Sequence, residues 1–313
     1  MTYIAMENQT STKEFYILPF SMKSRFIPLY LALFSLIYVF GVFTNAFIIF
    51  VIFSSKHLHT PMYYFICNLS IVDIFYTTIT VPKLLYMIIS RNTTVSYREC
   101  FTQMYFYFLD ASAEDILILT MAFDRYVAIC HPLHYHLILN KKNCIFLVAG
   151  IWLVGSFNSF VITFQASNRT FCHSNIIHQF FCDGKALMNI ACAGLNYMYT
   201  IIYIEILMFG FLPFFCSLMS YIKIIKVVLQ INSREGRKKA FSTCSSHLIV
   251  IVMYYTTAVS VYMMPKYSVV LEQICSVIYT MVTPMINPLI YSLRNNEVKM
   301  ALKKLMVQQA NKA

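Results

Sequence analysis

Residues 26–53 form a run of 28 positions without a single Lys, Arg, Asp or Glu, bounded by Arg25 and Lys56. About 20 apolar residues suffice for a helix to cross the hydrocarbon core of a bilayer. A helix is the form such a run takes there, because lipid offers no partner to an open backbone N–H or C=O. Six further windows with few charges follow, at 61–89, 101–130, 144–164, 197–229, 241–264 and 271–293. Each is long enough to span with some tilt. Seven such spans use about half of the 313 residues and leave only short loops. The expected fold is therefore an all-α membrane protein: one domain over 1–313, with an N-terminal segment 1–25, a seven-transmembrane helix bundle 26–294 and a tail 295–313. Composition agrees, since 59% of the residues are hydrophobic and 12% charged, against roughly 45–50% and 25% in soluble domains. Disorder and a soluble nucleic-acid-binding face are excluded on that ground. Residues 1–25 mix Glu7, Lys13, Glu14, Lys23 and Arg25 with short apolar runs, so no cleavable signal peptide is expected. No internal repeat is visible, which weighs against transporters built from duplicated halves.

An odd number of spans puts the termini on opposite sides, and basic residues in short loops set which side is which. With the N-terminus outside, fifteen of the 24 basic residues fall on cytoplasmic segments, among them Lys56, Lys141, Lys142, Lys223, Arg234, Lys238, Arg294 and Lys303. Their acidic companions there are Asp124, Glu235 and Glu297, so that side carries a surplus of twelve positive charges and the remainder of the chain is close to neutral. Acceptor sequons at Asn8, Asn92 and Asn168 all fall outside in this orientation. A fourth, at Asn68, lies inside the second span and reads as an intramembrane polar residue. Plasma-membrane placement with an extracellular N-terminus follows as the expectation.

Of the ten Cys, Cys67, Cys130, Cys144, Cys216, Cys244 and Cys275 lie in or beside spans and read as small soft hydrophobes. Cys100, Cys172, Cys182 and Cys192 face the oxidising side, at the start of the third span and in the loop before the fifth. Spacing leaves their three possible pairings open.

The third span ends Met121-Ala122-Phe123-Asp124-Arg125-Tyr126-Val127-Ala128-Ile129-Cys130-His131-Pro132, and the seventh reads Pro284-Met285-Ile286-Asn287-Pro288-Leu289-Ile290-Tyr291. With Leu58-His59-Thr60-Pro61-Met62-Tyr63, Val81-Pro82-Lys83-Leu84-Leu85, Ser220-Tyr221 and Lys239-Ala240-Phe241-Ser242-Thr243-Cys244-Ser245-Ser246-His247-Leu248, these segments resemble a rhodopsin-like (class A) G-protein-coupled receptor, and within that class an olfactory receptor. The resemblance runs in the family's order over nearly the whole chain. It implies an odorant partner, a heterotrimeric stimulatory G protein, rising cyclic AMP, and disulfides Cys100–Cys182 and Cys172–Cys192. It also implies an activation switch of Asp124, Arg125, Tyr126, Tyr221, His247, Asn287, Pro288 and Tyr291, in which Arg125 leaves Asp124 for Tyr221 and Tyr291 as the sixth helix moves. A plain paired charge at a helix end is the simpler reading of Asp124 and Arg125. A non-olfactory chemosensory or amine-type class A receptor is the closest competing class, and a transporter a more distant one.

Ionisable side chains inside spans are costly and are functional candidates by default. Asp73, Glu114 and Asn287 match positions that hold Na⁺ in related receptors, and two carboxylates buried together need a cation or a shared proton. A hydrogen-bonded polar core is the alternative. Asp110 and Glu114 are four apart and share a helix face, whereas Asp115 is rotated by about 100°. Glu205, two turns before Pro213, is expected to attract a cationic or hydrogen-bond-donating ligand together with Asp110. Otherwise both acids have internal partners, such as Lys83 for Asp110. By analogy and helical spacing, the remaining pocket comprises Met104, Tyr107, Phe108, Ala111 and Ser112 from the third helix, Ile202 and Ile206 beside Glu205, and Tyr255, Val259, Tyr262, Val277 and Thr280 from the sixth and seventh.

His131, His134 and His136 are not expected to bind a metal, since Pro132 lies among them and no acid or Cys completes a ligand set. No nucleophile, base and oxyanion set is present for an enzyme, and no cofactor is expected beyond the candidate Na⁺. After Asn295, the apolar positions Val298, Ala301, Leu302, Leu305 and Met306 alternate with Lys299, Lys303 and Lys304. That pattern predicts a short amphipathic cytoplasmic helix on the membrane surface, with lipid as its partner.

Overall fold

A computed structural model describes residues 14–20, 24–171, 174–192, 195–262, 269–294 and 296–310. The architecture is a helix bundle. Helices α1 (Ile27–Ser54), α2 (Pro61–Ser90), α3 (Tyr97–Cys130) and α4 (Lys141–Ser167) are followed by α5, which comprises Leu195–Glu205, a π-helical stretch Ile206–Phe211, and Leu212–Leu229. Then come α6 (Arg234–Tyr262) and α7, made of Val269–Val277, a second π-helical stretch Ile278–Val282, and Thr283–Arg294. The chain closes on α8 (Asn296–Ala310). Among the described residues six helices are long and apolar enough to cross a membrane, and α3 joins them when taken with its continuation Pro132–Ile138, bent by 115°.

Local chemistry sets the helix ends. Pro28 and Pro61 stand in the first turns of α1 and α2, where a missing N–H costs nothing. Ser96 and Glu99 form a reciprocal capping box at the start of α3, and Asn140 caps α4 through Asn143 N. Pro132 stops α3 at Cys130, because a proline disfavours the helical conformation of the residue before it.

Burial is inverted relative to a soluble protein. Large apolar side chains point outward from α1 and α4, with Leu36 70%, Phe53 70%, Leu153 71% and Phe157 71% exposed. Asp73, Asp110, Glu114, Asp115 and Asp124 lie inside. An apolar belt of that extent suits a hydrocarbon surround. α3 is the central element, packing against α2, α4, α5 and α6. α4 approaches it closely at Gly155, where a Cβ would stand 3.2 Å from the carbonyl oxygen of Leu109.

One end of the bundle carries a three-stranded sheet of β1 (Glu14–Ile17), β2 (Thr94–Ser96) and β3 (Ile176–Ile177), with β1 in the middle, antiparallel to β2 and parallel to β3. Its inward residues Phe15 and Ile17 are fully buried, and Phe15 packs on Tyr97, Phe101 and Phe171. The disulfide Cys100–Cys182 ties the same loop to the start of α3. Cys172 and Asn8 lie outside the described residues, so the Cys172–Cys192 pairing and the first sequon do too. Asn92 and Asn168 are both exposed at the sheet end. Asn68, by contrast, is buried in α2 and donates to the carbonyl of Tyr64 at 2.9 Å.

At the opposite end α8 buries Val298 and packs Ala301 and Leu302 against the bundle, while Lys299, Lys303 and Lys304 face outward. The side chains of Leu305 and Met306 lie outside the described residues. Tyr63 on α2 donates to Glu297 at 2.8 Å and holds the start of α8 in place.

Candidate ligand cavity and helix-end switch

Below the sheet a cavity of about 640 Å³ opens between α3, α4, α5, α6 and α7. α3 contributes Met104, Phe108, Ala111 and Asp115, a row at successive spacings of four, three and four that keeps one helix face. α5 contributes Ile202 and Glu205, then Ile206 and Phe209 from its π stretch, and Phe214 from the segment after it. Tyr254, Tyr255 and Val259 come from α6 and Tyr279 from α7. The roof is the short helix Gly184–Met188, which supplies Lys185 and Met188.

Asp183 caps that roof helix by accepting from Ala186 N at 3.3 Å, and its other oxygen is buried without a partner. Burial pushes its carboxyl up to about 6, against the opposing pull of the helix N–H groups. Lys185 is anchored to Glu272 on α7 at 3.2 Å and to the carbonyl of Val261 at 3.2 Å.

Eight of the thirteen residues expected from spacing line this cavity: Met104, Phe108, Ala111, Ile202, Glu205, Ile206, Tyr255 and Val259. Four do not. Tyr107 turns to α2 and the roof, with its ring 5.1 Å from Tyr76 and 4.8 Å from Phe181. Ser112 donates to the carbonyl of Phe108 at 2.7 Å and accepts from Asn158 at 2.9 Å, so it faces α4. Val277 packs into the core and Thr280 donates to the carbonyl of Ser276 at 2.8 Å. On α7 it is Tyr279, within the π stretch 278–282, that reaches the cavity instead. The side chain of Tyr262 lies outside the described residues.

The intramembrane acids sort by helix face. Gln103, Tyr107, Asp110 and Glu114 form the α3 row towards α2, where Gln103 donates to the carbonyl of Ile79 at 2.9 Å. Asp110 is thus absent from the cavity lining, and Asp115 takes the place expected for it. Lys83 does not pair with Asp110; it meets Glu99 at 3.5 Å, because its position near the end of α2 lies level with the first turn of α3. Glu205 accepts from Asn158 at 2.8 Å, and the same amide reaches Ser112. Asn158 therefore bridges α3, α4 and α5, a role that nothing in its sequence context signals.

In the bundle core Asn287 donates to both oxygens of Asp73 at 3.1 and 3.3 Å. Glu114 Oε1 and Asn287 Oδ1 are buried there without hydrogen-bond partners. Among the described residues no three His, Cys, Asp or Glu converge as a metal-ligand set, and His131 instead contacts the Tyr126 hydroxyl at 3.0 Å.

Beyond this core, at the end opposite the sheet, Arg125 binds Asp124 through two nitrogens, with Nε at 2.8 Å from Oδ2. The second Asp124 oxygen accepts from the Tyr135 hydroxyl at 2.9 Å. Tyr221 and His247 meet at 2.8 Å between α5 and α6. The Tyr291 hydroxyl on α7, three residues beyond Pro288, is buried without a hydrogen-bond partner.

Comparison with known proteins accords with this layout. The olfactory receptor family matches residues 34–309. Olfactory receptor 1M1 of Mus musculus is 43% identical over 302 residues, covering 96% of this chain and 96% of that protein. Putative olfactory receptor 1F12P of Homo sapiens is 41% identical over 302 residues, covering 96% and 90%. Olfactory receptor 1 of Rattus norvegicus is 39% identical over 304 residues, covering 96% and 97%. The chain belongs to the olfactory receptor family, multi-pass membrane receptors and not enzymes.

Proposed function

We propose that this receptor binds a small odorant in the cavity between α3, α5, α6 and α7 and, at the opposite end, activates a heterotrimeric stimulatory G protein that raises cyclic AMP. The observation that carries the reading is the cavity itself. Its size and mainly apolar, aromatic lining suit a small organic molecule, and its walls are the same helices that hold the Asp124–Arg125 pair and the Tyr221–His247 contact. A ligand that fits a shifted arrangement of α6 better than the resting one moves the population towards it. Arg125 is then free to reach Tyr221 and the unpartnered Tyr291 hydroxyl. The basic surplus on the segments at the α8 end, and the exposed sequons Asn92 and Asn168 at the sheet end, support an extracellular N-terminus and placement in the plasma membrane.

The polar core of Asp73, Glu114 and Asn287 suits Na⁺, since its unpartnered oxygens are hard donors and Asn287 already steadies Asp73. In this reading the ion would hold α2, α3 and α7 in the resting arrangement.

The test is a cyclic AMP reporter in cells expressing the chain, challenged with a broad panel of volatile compounds. Active compounds should raise the signal in the wild type, and Arg125→Ala should abolish it at unchanged surface expression. Signalling that survives Arg125→Ala would refute the assigned switch.

A further inference from the structure

We infer that the cavity is built for a small organic amine, whose ammonium group is held between Asp115 on α3 and Glu205 on α5. The inference rests on the ligand-binding reading above and names its chemical class.

Two carboxylates on facing helices line one cavity. Neither has a cationic partner: among the described residues the ion pairs are Lys83–Glu99, Asp124–Arg125 and Lys185–Glu272. Among the described residues the one lysine at the cavity, Lys185, is occupied by Glu272 and the carbonyl of Val261. The two acids are thus the cavity-lining ionisable groups left without a basic partner among the described residues.

Their protein partners satisfy only part of each carboxylate. Asn158 donates to Glu205 Oε1 at 2.8 Å, and the Tyr254 hydroxyl, itself 3.1 Å from the Tyr279 hydroxyl, reaches Asp115. The Tyr255 hydroxyl is an independent sign of a missing partner. Tyr255 lines the same cavity at 7% exposure, and its oxygen has no hydrogen-bond partner. An ammonium group carries up to three N–H donors, so it can serve both carboxylates and the Tyr255 oxygen together. A bare metal ion would leave the surrounding apolar volume empty, whereas the hydrocarbon part of an amine fills the space bounded by Met104, Phe108, Ile202 and Val259.

The experiment compares matched pairs on the purified receptor, hexylamine with 1-hexanol and cyclohexylamine with cyclohexanol, reading the ligand-induced rise in melting temperature against concentration. The amines should act at concentrations at least about tenfold below their alcohols, a difference of roughly one charge-assisted contact. Glu205→Gln and Asp115→Asn, both nearly isosteric, should each weaken the amines about tenfold or more and narrow the gap between each amine and its alcohol, with Glu205→Asp retaining amine preference. Equal potency of amine and alcohol on the wild type, no stabilisation by either, or amine affinity untouched in both variants would overturn the inference. If a variant does not fold, the wild-type comparison still decides. Amine stabilisation with a silent cyclic AMP reporter would sink the coupling reading and leave the ligand assignment standing.

Discussion

The roof over the cavity should be sensitive to acid in an uncommon direction. Asp183 is 4% exposed, and burial raises its carboxyl from 3.8 to about 6 despite the cap it provides to the helix Gly184–Met188. The folded roof therefore holds a proton more tightly than the unfolded loop does. Between pH about 4 and 6 the folded state binds more protons, so its stability is greatest below that window, falls as pH rises through it and is flat above. At about 1.4 kcal/mol per tenfold change in proton affinity the loss is ~3 kcal/mol. Asp183→Asn removes the titration and keeps a good capping oxygen for Ala186 N. Its amide must stand where one carboxylate oxygen is now buried and unpartnered, which costs ~1–2 kcal/mol. A net gain of ~1–2 kcal/mol at pH 7 remains. Amide hydrogen exchange of roof peptides, corrected for the intrinsic pH dependence of exchange, reads the effect directly. Wild-type protection should fall on the order of 100-fold from pH 4 to pH 7, and Asp183→Asn should flatten that slope. A flat wild-type profile, or the same slope in the variant, would refute the reasoning.

Three other perturbations test different parts of the molecule. Cys182→Ser opens a loop closed over a sequence separation of 82 residues; a cost of ~4–5 kcal/mol is expected from chain entropy, seen as loss of surface receptor and a lower melting temperature. Gly155→Val places a side chain against the Leu109 carbonyl of α3 and should cost ~1–3 kcal/mol through forced separation of α3 and α4, with Gly155→Ala milder. Tyr135→Phe deletes one of the two groups that hold Asp124; about 1 kcal/mol of resting-state preference is lost, and ligand-free cyclic AMP should rise roughly fivefold. Basal activity at the wild-type level would show that Tyr135 does not restrain the switch.

The spans were legible because a bilayer demands long apolar runs, and the charge-free stretch before Ser54 leaves no other fold open. The tail helix was legible from the lysines that punctuate its apolar positions. The α3 contribution to the cavity was readable in part, since regular spacing places Met104, Phe108 and Ala111 on one face but does not say where the lining row ends. Asp115 continues it and Tyr107 leaves it. On α5 the expected row of Ile202, Glu205 and Ile206 holds and runs on to Phe209 and Phe214, whereas on α7 Tyr279 lines the cavity in place of Val277 and Thr280, a choice made by packing that no local propensity marks. The strand β1 did carry a signal, the alternation of Glu14, Phe15, Tyr16 and Ile17. Its partners lie 80 and 160 residues away, which no local pattern reveals. Lys83 shows the converse limit: a nearby charge suggests a partner, yet depth along the helix decides which acid it meets.

The order of the strands also sets a timetable for the chain's birth. β1 is translated first but needs both Thr94–Ser96 and Ile176–Ile177 to form its sheet. Tyr97 and Phe101 can receive Phe15 once α3 is made, but Phe171 and the β3 pairing of Ile17 come only with the loop after α4. The first stretch of the receptor is thus among the last to settle. A newly made chain that stalls before residue 177 therefore lacks the parallel partner of β1 and leaves that strand paired on one edge at most.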